Sequence, residues 1–518
     1  MASCVESSLD AVAGALHALR GGRAVAGEHI YLSGVFKPID DELPPTLLAV
    51  SEGALPLELA GFFARVGPSP RHPPRGGLHL FDGDGLLVGV RLREGTATCS
   101  AAYVRTERFL IEESAGGAVF PKIGDLHGVT GLSLLALETA KQAVGGPSST
   151  PRGMGTANTA LQYHAGRLLA LNEGDMPWAL RVLCDGAVET LCECSFEETL
   201  GTRSFTAHPK LDARTGELLW FSYDASQPRI AVGILDARGV PTAATEVELR
   251  FPQMMHDFAF TKTFNILFDL PLAFDAMVML TQNRLPFVFD KARGARFGLL
   301  RRGAEGKSVQ WFALPGCMIF HSLAAWEEER ADGSALVRLF ACRIEDFDLA
   351  LPSSQGSDPA AIDGGSPTLY EFTFDTLTGE ATQRCVVPLP PGCSGMDFPT
   401  CSPTLRGSKL RYGYLALFCG LLITGCAKVD LLAGAIVARF DYPAGLCGGE
   451  ALFVPVPGGT AEDDGHVLSI ASTATASWLY VWDAATLSLL AVLPLPARVP
   501  YGFHSTFVSE AELAAQRR

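Results

Sequence analysis

The chain has 518 residues, 48% of them apolar and 19% charged, a balance that excludes a disordered chain and leaves ample material for a core without disulfide staples. Its net charge of −15 opposes the phosphate attraction on which general nucleic-acid binding depends. The 54 glycines and 33 prolines interrupt helices and serve turns, so a many-turned β architecture is expected over a helical one.

Residues 1–27 read as an N-terminal extension. Ser8 can cap a short amphipathic helix in which Leu9, Val12, Leu16 and Leu19 share one face, ending at Gly21-Gly22. Packing on the body is the simpler role for that face, and membrane contact the sharper one. The basic-then-apolar order of a secretory signal is missing, and Glu6 and Asp10 interrupt any transit-peptide pattern.

Residues 28–518 read as one closed all-β domain. From His29 onward, turn signals recur every ten to twenty residues between short apolar runs. Ala213-Arg-Thr-Gly216, Asp375-Thr-Leu-Thr-Gly379 and Asp483-Ala-Ala-Thr486 each predict a hairpin. Residues Gly131 to Val144, leucine-rich on one face and closed by Gly145-Gly146, predict a helix inserted between strands, where it would fringe the mouth of the barrel. No fixed period repeats, so self-similarity alone does not identify a propeller. The longest uncharged stretch, Ser308 to Trp326, contains Pro315, Gly316 and His321, and no transmembrane helix is expected.

The thirteen cysteines are odd in number and lack a C-x-x-C pair, the pattern of reduced, buried thiols in a cytosolic-type compartment. Gly306-Lys307-Ser308 lacks the earlier glycine of a phosphate loop, because Arg301 stands there. Gly83-Asp-Gly85 has Val88 where a dinucleotide fingerprint needs glycine, and Gly392-Cys-Ser-Gly395 is wrongly spaced for a nucleophile elbow. Kinase, dehydrogenase and serine-hydrolase chemistries all weaken.

Four of the eleven histidines sit in apolar or aromatic company near expected strands: Phe205-Thr-Ala-His208, Met254-Met-His256, Ile319-Phe-His321 and Tyr501-Gly-Phe-His504. A buried imidazole without a partner is costly, so four such sites invite a shared one. Their wide separation rules out a local finger or H-E-x-x-H site and requires well-separated elements converging on an axis. Imidazoles without thiolate suit iron, copper, zinc or nickel. Four ligands saturate structural zinc, whereas iron(II) prefers six and keeps two positions for oxygen and substrate.

These motifs resemble the carotenoid cleavage dioxygenase family, most closely the plant-type 9,10(9′,10′)-cleaving members. The likeness covers nearly the whole chain after residue 28. It includes Tyr31-Leu-Ser-Gly-Val-Phe-Lys-Pro38, His79-Leu-Phe-Asp-Gly-Asp-Gly85, Lys122-Ile-Gly-Asp125, Thr206-Ala-His-Pro-Lys-Leu-Asp212, Met255-His-Asp-Phe-Ala259, Ala325-Trp-Glu-Glu328, Glu462-Asp-Asp-Gly465 and Pro500-Tyr-Gly-Phe-His504. The resemblance implies a seven-bladed β-propeller with iron(II) on its axis, held by His208, His256, His321 and His504. It also implies a dome of loops and helices enclosing an apolar tunnel. Seven blades would average about 74 residues each, more than four short strands need, and the surplus would build the dome.

By the same resemblance Glu173, Asp397 and Glu450 would accept the distal N–H groups of His256, His321 and His504, and His208 would have no carboxylate partner. Asp397 stands where much of the wider family carries glutamate, and Ala324 where it carries asparagine three residues after the third histidine. The other histidines (His17, His29, His72, His79, His127, His164 and His466) are expected to be surface, packing or structural residues.

The implied function is a non-haem iron(II) dioxygenase that uses O₂ to cleave a C=C bond of a carotenoid or apocarotenoid, at 9,10 and 9′,10′, into aldehyde and ketone products. Another bond or a stilbene is the alternative within the same chemistry, and a non-catalytic carotenoid-binding propeller the alternative of another class. No organic cofactor and no obligate protein partner are implied. The leucine faces around 9–19 and 132–144 are candidates for peripheral membrane contact. The expected location is cytoplasmic, with the periphery of a plastid membrane as its narrower form.

Overall fold

The computed structural model describes residues 12, 29–144, 155–194, 204–350 and 358–517. The helix expected over residues 9–19 lies outside the described residues apart from Val12, and His17 lies outside them as well.

Seven antiparallel sheets of four or five strands form the blades of a β-propeller, and one further two-stranded sheet pairs Leu272–Phe274 with Phe287–Phe289. Numbered around the ring, the strands facing the axis are Ser505–Ser509 in blade 1, Ala160–His164 in blade 2 and Lys210–Asp212 in blade 3. Ala259–Phe260, Met318–Glu329, Gly395–Thr400 and Leu452–Pro455 serve blades 4 to 7. The three expected hairpin turns join Lys210–Asp212 to Glu217–Tyr223, Thr368–Asp375 to Ala381–Cys385, and Ser477–Asp483 to Leu489–Pro494.

Position within a blade explains the mixed hydrophobic patterning. Middle strands are covered on both faces by neighbouring blades, so Gly465–Ser472 is buried throughout and reads as an unbroken run. Outer strands face solvent on one side, and Pro241–Glu248 alternates buried or half-buried with exposed residues.

The apolar residues form seven clusters, one at each seam between neighbouring blades, in place of a single core. Trp220 and Phe205 fill the seam of blades 2 and 3, and Phe297, Phe372 and Phe374 that of blades 4 and 5. The ring closes twice. Ser505–Ser509 from the C-terminal end pairs with Gly61–Ser69 in blade 1, while Glu52–Gly53 extends the outer edge of blade 7 against Val492 and Ala491.

Segments between strands build a cap over one end of the axis. Helix α1, Glu107–Ala115, starts where the Thr106 hydroxyl accepts from the Phe109 amide and stops at Gly116 with φ +65. Helix α2, Gly128–Val144, begins three residues before the expected start. Gly128 takes a left-handed φ of +61, which favours glycine, and with no Cβ it leaves room for the Asn283 side chain at the end of helix α3, Ala276–Gln282. Among the described residues no helix is long and apolar enough to cross a membrane, and the twelve described cysteines are free.

Candidate metal centre

Inner strands carry the four histidines to the axis. His504 immediately precedes the axial strand of blade 1, His208 and His256 lie just ahead of those of blades 3 and 4, and His321 lies within that of blade 5. Around His321 the ladder slips register on both sides of Ser322, a bulge that bends the strand and re-aims its side chains. Ahead of His504 the chain runs close to blade 1, because the buried Arg65 guanidinium donates to the Pro500 carbonyl at 2.7 Å and the Ile470 carbonyl at 3.1 Å. A Cβ on Gly502 would meet Arg65 Nε at 2.5 Å, so glycine is required there.

The imidazoles converge through their Nε2 atoms. His208 Nε2 lies 3.0 Å from His256 Nε2, and His504 Nε2 lies 3.1 Å from His321 Nε2. Ligating nitrogens of His208, His321 and His504 all fall within 4.8 Å of one another. Behind the rings stand the three acids. Asp397 Oδ1 and Glu450 Oε1 each lie 2.9 Å from the Nδ1 of His321 and His504, and the Glu173 carboxylate lies against Nδ1 of His256. Among the described residues no carboxylate reaches His208. Glu173 comes from blade 2, in the loop after Arg167–Leu171, Asp397 from the axial strand of blade 6, and Glu450 from just ahead of that of blade 7. Each of the seven blades thus supplies one group.

This arrangement settles where the protons sit. A carboxylate only accepts, so the Nδ1 facing it carries the hydrogen, and a neutral ring then presents a bare lone pair at Nε2. At 3.1 Å the lone pairs of His321 and His504 repel unless a cation lies among them. The donor set therefore fits a metal ion that favours imidazole nitrogen, such as iron(II).

Electrostatics favour the neutral ring at two of the four positions. Burial, reinforced by the facing His256, His504 and His321 and by Lys210, holds His208 well below its ordinary value, the neutral form a ligand needs. For His504 burial lowers the value despite Glu450, while for His321 burial is outweighed by Asp397 and the value rises.

A further layer of residues, which the sequence reading missed, fixes the acids and the strands. The Tyr223 hydroxyl donates to Glu173 Oε2 at 2.7 Å, the Ser505 amide to Glu450 Oε2 at 2.6 Å and the Phe398 amide to Asp397 Oδ1 at 2.8 Å. Lys210 Nζ pairs with Asp257 Oδ1 at 2.6 Å, and Asp257 Oδ2 accepts from both the amide and the hydroxyl of Ser322 at 2.7 Å. That buried pair ties together the segments bearing His208, His256 and His321. Adjacency to the histidine motifs was the available signal. Ala324, where the resemblance leads one to expect asparagine, packs in the apolar seam with Leu323 and Trp326.

Two cavities meet at the histidines. One of about 440 Å³ is lined by aromatic rings, among them Phe81, Phe320, Phe347, Phe398 and Phe503. The other, about 590 Å³, has a mixed lining in which Lys210, Asp257, Arg406 and Glu450 stand among apolar side chains such as Leu323 and Phe453. Phe320 packs edge-on against His256 at 4.9 Å between ring centres, and Phe398, held at φ +50, lies 5.0 Å from His321 and 4.8 Å from His504. The remaining described histidines stand apart from this centre. His79 Nε2 faces the Leu349 carbonyl at 2.9 Å, His164 the Gly216 carbonyl at 3.0 Å, and His72 Nε2 lies 3.0 Å from Glu113.

The family model described as RPE65, retinal pigment epithelial membrane protein, matches residues 36–509. The chain is 39% identical over 512 residues to carotenoid 9,10(9′,10′)-cleavage dioxygenase 1 of Pisum sativum, covering 95% of this chain and 92% of that protein. It is 40% identical over 505 residues to the enzyme of that name from Arabidopsis thaliana, covering 94% and 91%. Among solved structures, a lignostilbene dioxygenase of Pseudomonas brassicacearum superposes with a TM-score of 0.77 at 25% identity over 93% of this chain and 99% of that one. Cobalt-substituted Synechocystis ACO superposes with a TM-score of 0.76 at 22% identity over 91% and 97%, a likeness of fold. With a family match spanning nearly the whole propeller and relatives this close over its full length, the chain belongs to the RPE65 and carotenoid cleavage dioxygenase family.

Proposed function

We propose that this chain is an iron(II)-dependent dioxygenase that cleaves the 9,10 and 9′,10′ double bonds of a carotenoid or apocarotenoid, with His208, His256, His321 and His504 holding the metal. The carrying observation is the convergence of four Nε2 atoms, three of them with a carboxylate set behind the ring. When bound, iron supplies the activation of O₂, whose two atoms end in the two carbonyl products, so no external reductant is needed. The chain's own residues orient the imidazoles, favour the neutral form of His208 and His504, and hold an apolar chain beside them. Size alone would favour the larger cavity, but the aromatic one has the more apolar wall, with Phe81, Phe320, Phe347, Phe398 and Phe503, and that fits a polyene chemically. Identity near 40% to 9,10(9′,10′)-cleaving enzymes, against 25% to the lignostilbene dioxygenase, supports the polyene over the stilbene. The test is iron quantification under anaerobic conditions followed by turnover and mass spectrometry of the products. One iron per chain with ionone-type ketones is expected. Absence of iron, or fragments from another bond, overturns the reading.

The substrate resides in lipid, and peripheral membrane contact through the cap is part of the proposal, at a plastid membrane in its narrower form. Exposed apolar side chains on α2 and α3, Val129 (65% exposed), Met277 (59%) and Leu280 (43%), support it. Of the leucines first considered, Leu134 is only 2% exposed and serves the fold, and Leu135 lines the aromatic cavity.

A further inference from the structure

Lys122 also lines the aromatic cavity. Its backbone is tightly held. The Lys122 amide donates to Asp125 Oδ2 at 3.0 Å, and Asp82 accepts from the next two amides, of Ile123 at 2.7 Å and Gly124 at 2.9 Å. The residue is 4% exposed, yet among the described residues no hydrogen bond or ion pair reaches its ammonium. Glu112 is near enough to feel its charge, but Glu112 Oε1 is committed to the amides of Val119 and Phe120 at 2.9 and 3.0 Å.

The other deeply buried lysines are paired: Lys141 with Glu138 at 3.0 Å, Lys210 with Asp257 at 2.6 Å and Lys428 with Asp463 at 2.5 Å. An ammonium removed from bulk water needs an acceptor. Among the described residues no acceptor stands within ion-pair distance of this ammonium, Glu112 acting on it only from farther off, and the side chain borders the space that reaches His256, His321 and His504.

We propose that Lys122 is a specificity-determining residue whose ammonium donates a hydrogen bond to an oxygen carried by the polyene, either a ring hydroxyl or ketone or the aldehyde of an apocarotenoid. Oxygenated polyenes are then preferred over hydrocarbon ones, because a hydrocarbon leaves the buried ammonium unpaired. This rests on the polyene reading of the cavity.

The test compares Lys122→Met and Lys122→Arg with the unaltered protein. The ratio of kcat/KM for a dihydroxylated carotenoid to that for a hydrocarbon carotene should fall by about tenfold to a hundredfold in the Met variant, the scale of a lost charge-assisted hydrogen bond. Arginine, which keeps a charged donor, should retain most of the preference. An anaerobic titration of an aldehyde-ended polyene, followed by quenching of tryptophan fluorescence, should show the same weakening without turnover. The Met variant should also melt higher than the unaltered protein, because it removes an unpaired buried charge. If the Met variant keeps its ratio and its affinity for the aldehyde, or melts lower or fails to fold, the proposal is overturned. Should the unaltered protein cleave no polyene, the dioxygenase reading fails by itself, and the binding titration still decides the role of Lys122.

Discussion

The axis and the cap of this propeller are held together by different physics. On the axis every group is polar and, in the main, doubly secured: an imidazole on a carboxylate, and the carboxylate on a second donor such as Tyr223 or the Ser505 amide. Those groups ride on strands whose positions are set by seven apolar seams, so the site inherits the rigidity of the ring. The cap is made of helices and loops, is held in part by carboxylates such as Asp82, Glu112 and Asp125 bonded to its amides, and leaves Val129, Met277 and Leu280 in solvent. The contrast teaches that geometry is invested where an ion must be held to within a few tenths of an ångström, and greasy adaptability where a long polyene must enter.

The sharpest way to break the axis is to remove a ligand. Replacing any one of His208, His256, His321 or His504 with Ala should abolish turnover and cut bound iron below one per chain, read by metal analysis and product formation. Full activity in any of these variants removes that residue from the ligand set.

Next comes the staple behind the ligands. Asp257→Ala leaves Lys210 buried without its partner and frees Ser322, and breaking such a pair costs about 3–5 kcal/mol. Denaturant unfolding should show that loss together with weaker iron retention. A variant as stable as the parent would make the pair incidental.

Smaller again is the layer behind the rings. Glu173→Gln and Glu450→Gln should lower iron affinity or rate by about 10–100-fold with the fold intact, since only the orientation and basicity of the imidazole change. Tyr223→Phe should cost about 1 kcal/mol of stability and soften the Glu173 effect, because it removes one hydrogen bond. A Gln variant with unchanged iron affinity and rate would mean the carboxylates do not tune the rings.

The mildest test sharpens the cap side of the comparison. Val129→Asp with Met277→Asp places two charges on exposed positions, each costing about 2–3 kcal/mol if the surface inserts into lipid. Liposome flotation should weaken while the melting temperature and the turnover of detergent-solubilised substrate hold. Leu134→Asp, by contrast, should unfold the cap. Equal liposome binding by the double variant and the parent would rule out this face as the docking surface.

Much of this molecule was legible in its residues. Hairpin turns such as Ala213 to Gly216 are local chemistry, and so is the helix of Leu132 to Leu137, because dihedral preference and hydrophobic period act over a few residues. The four histidines stood out by their apolar company, and the resemblance named both the common partner it implies, iron, and the acids behind them. What local sequence could not supply was convergence. His208 and His504 are far apart in the chain, and their meeting depends on the ring closing through Ser505–Ser509 and Glu52–Gly53. The pairing of Lys210 with Asp257 and Ser322 arises only when segments of different blades are brought side by side, the aim of His321 only when its strand pairs with its neighbour in blade 5, and the setting of Lys122 only when the cap folds over the axis. Sequence determined which elements form and which chemistry was available. The closed ring decided which groups touch, because contact between distant segments is a property of packing, and packing is written across all seven seams at once.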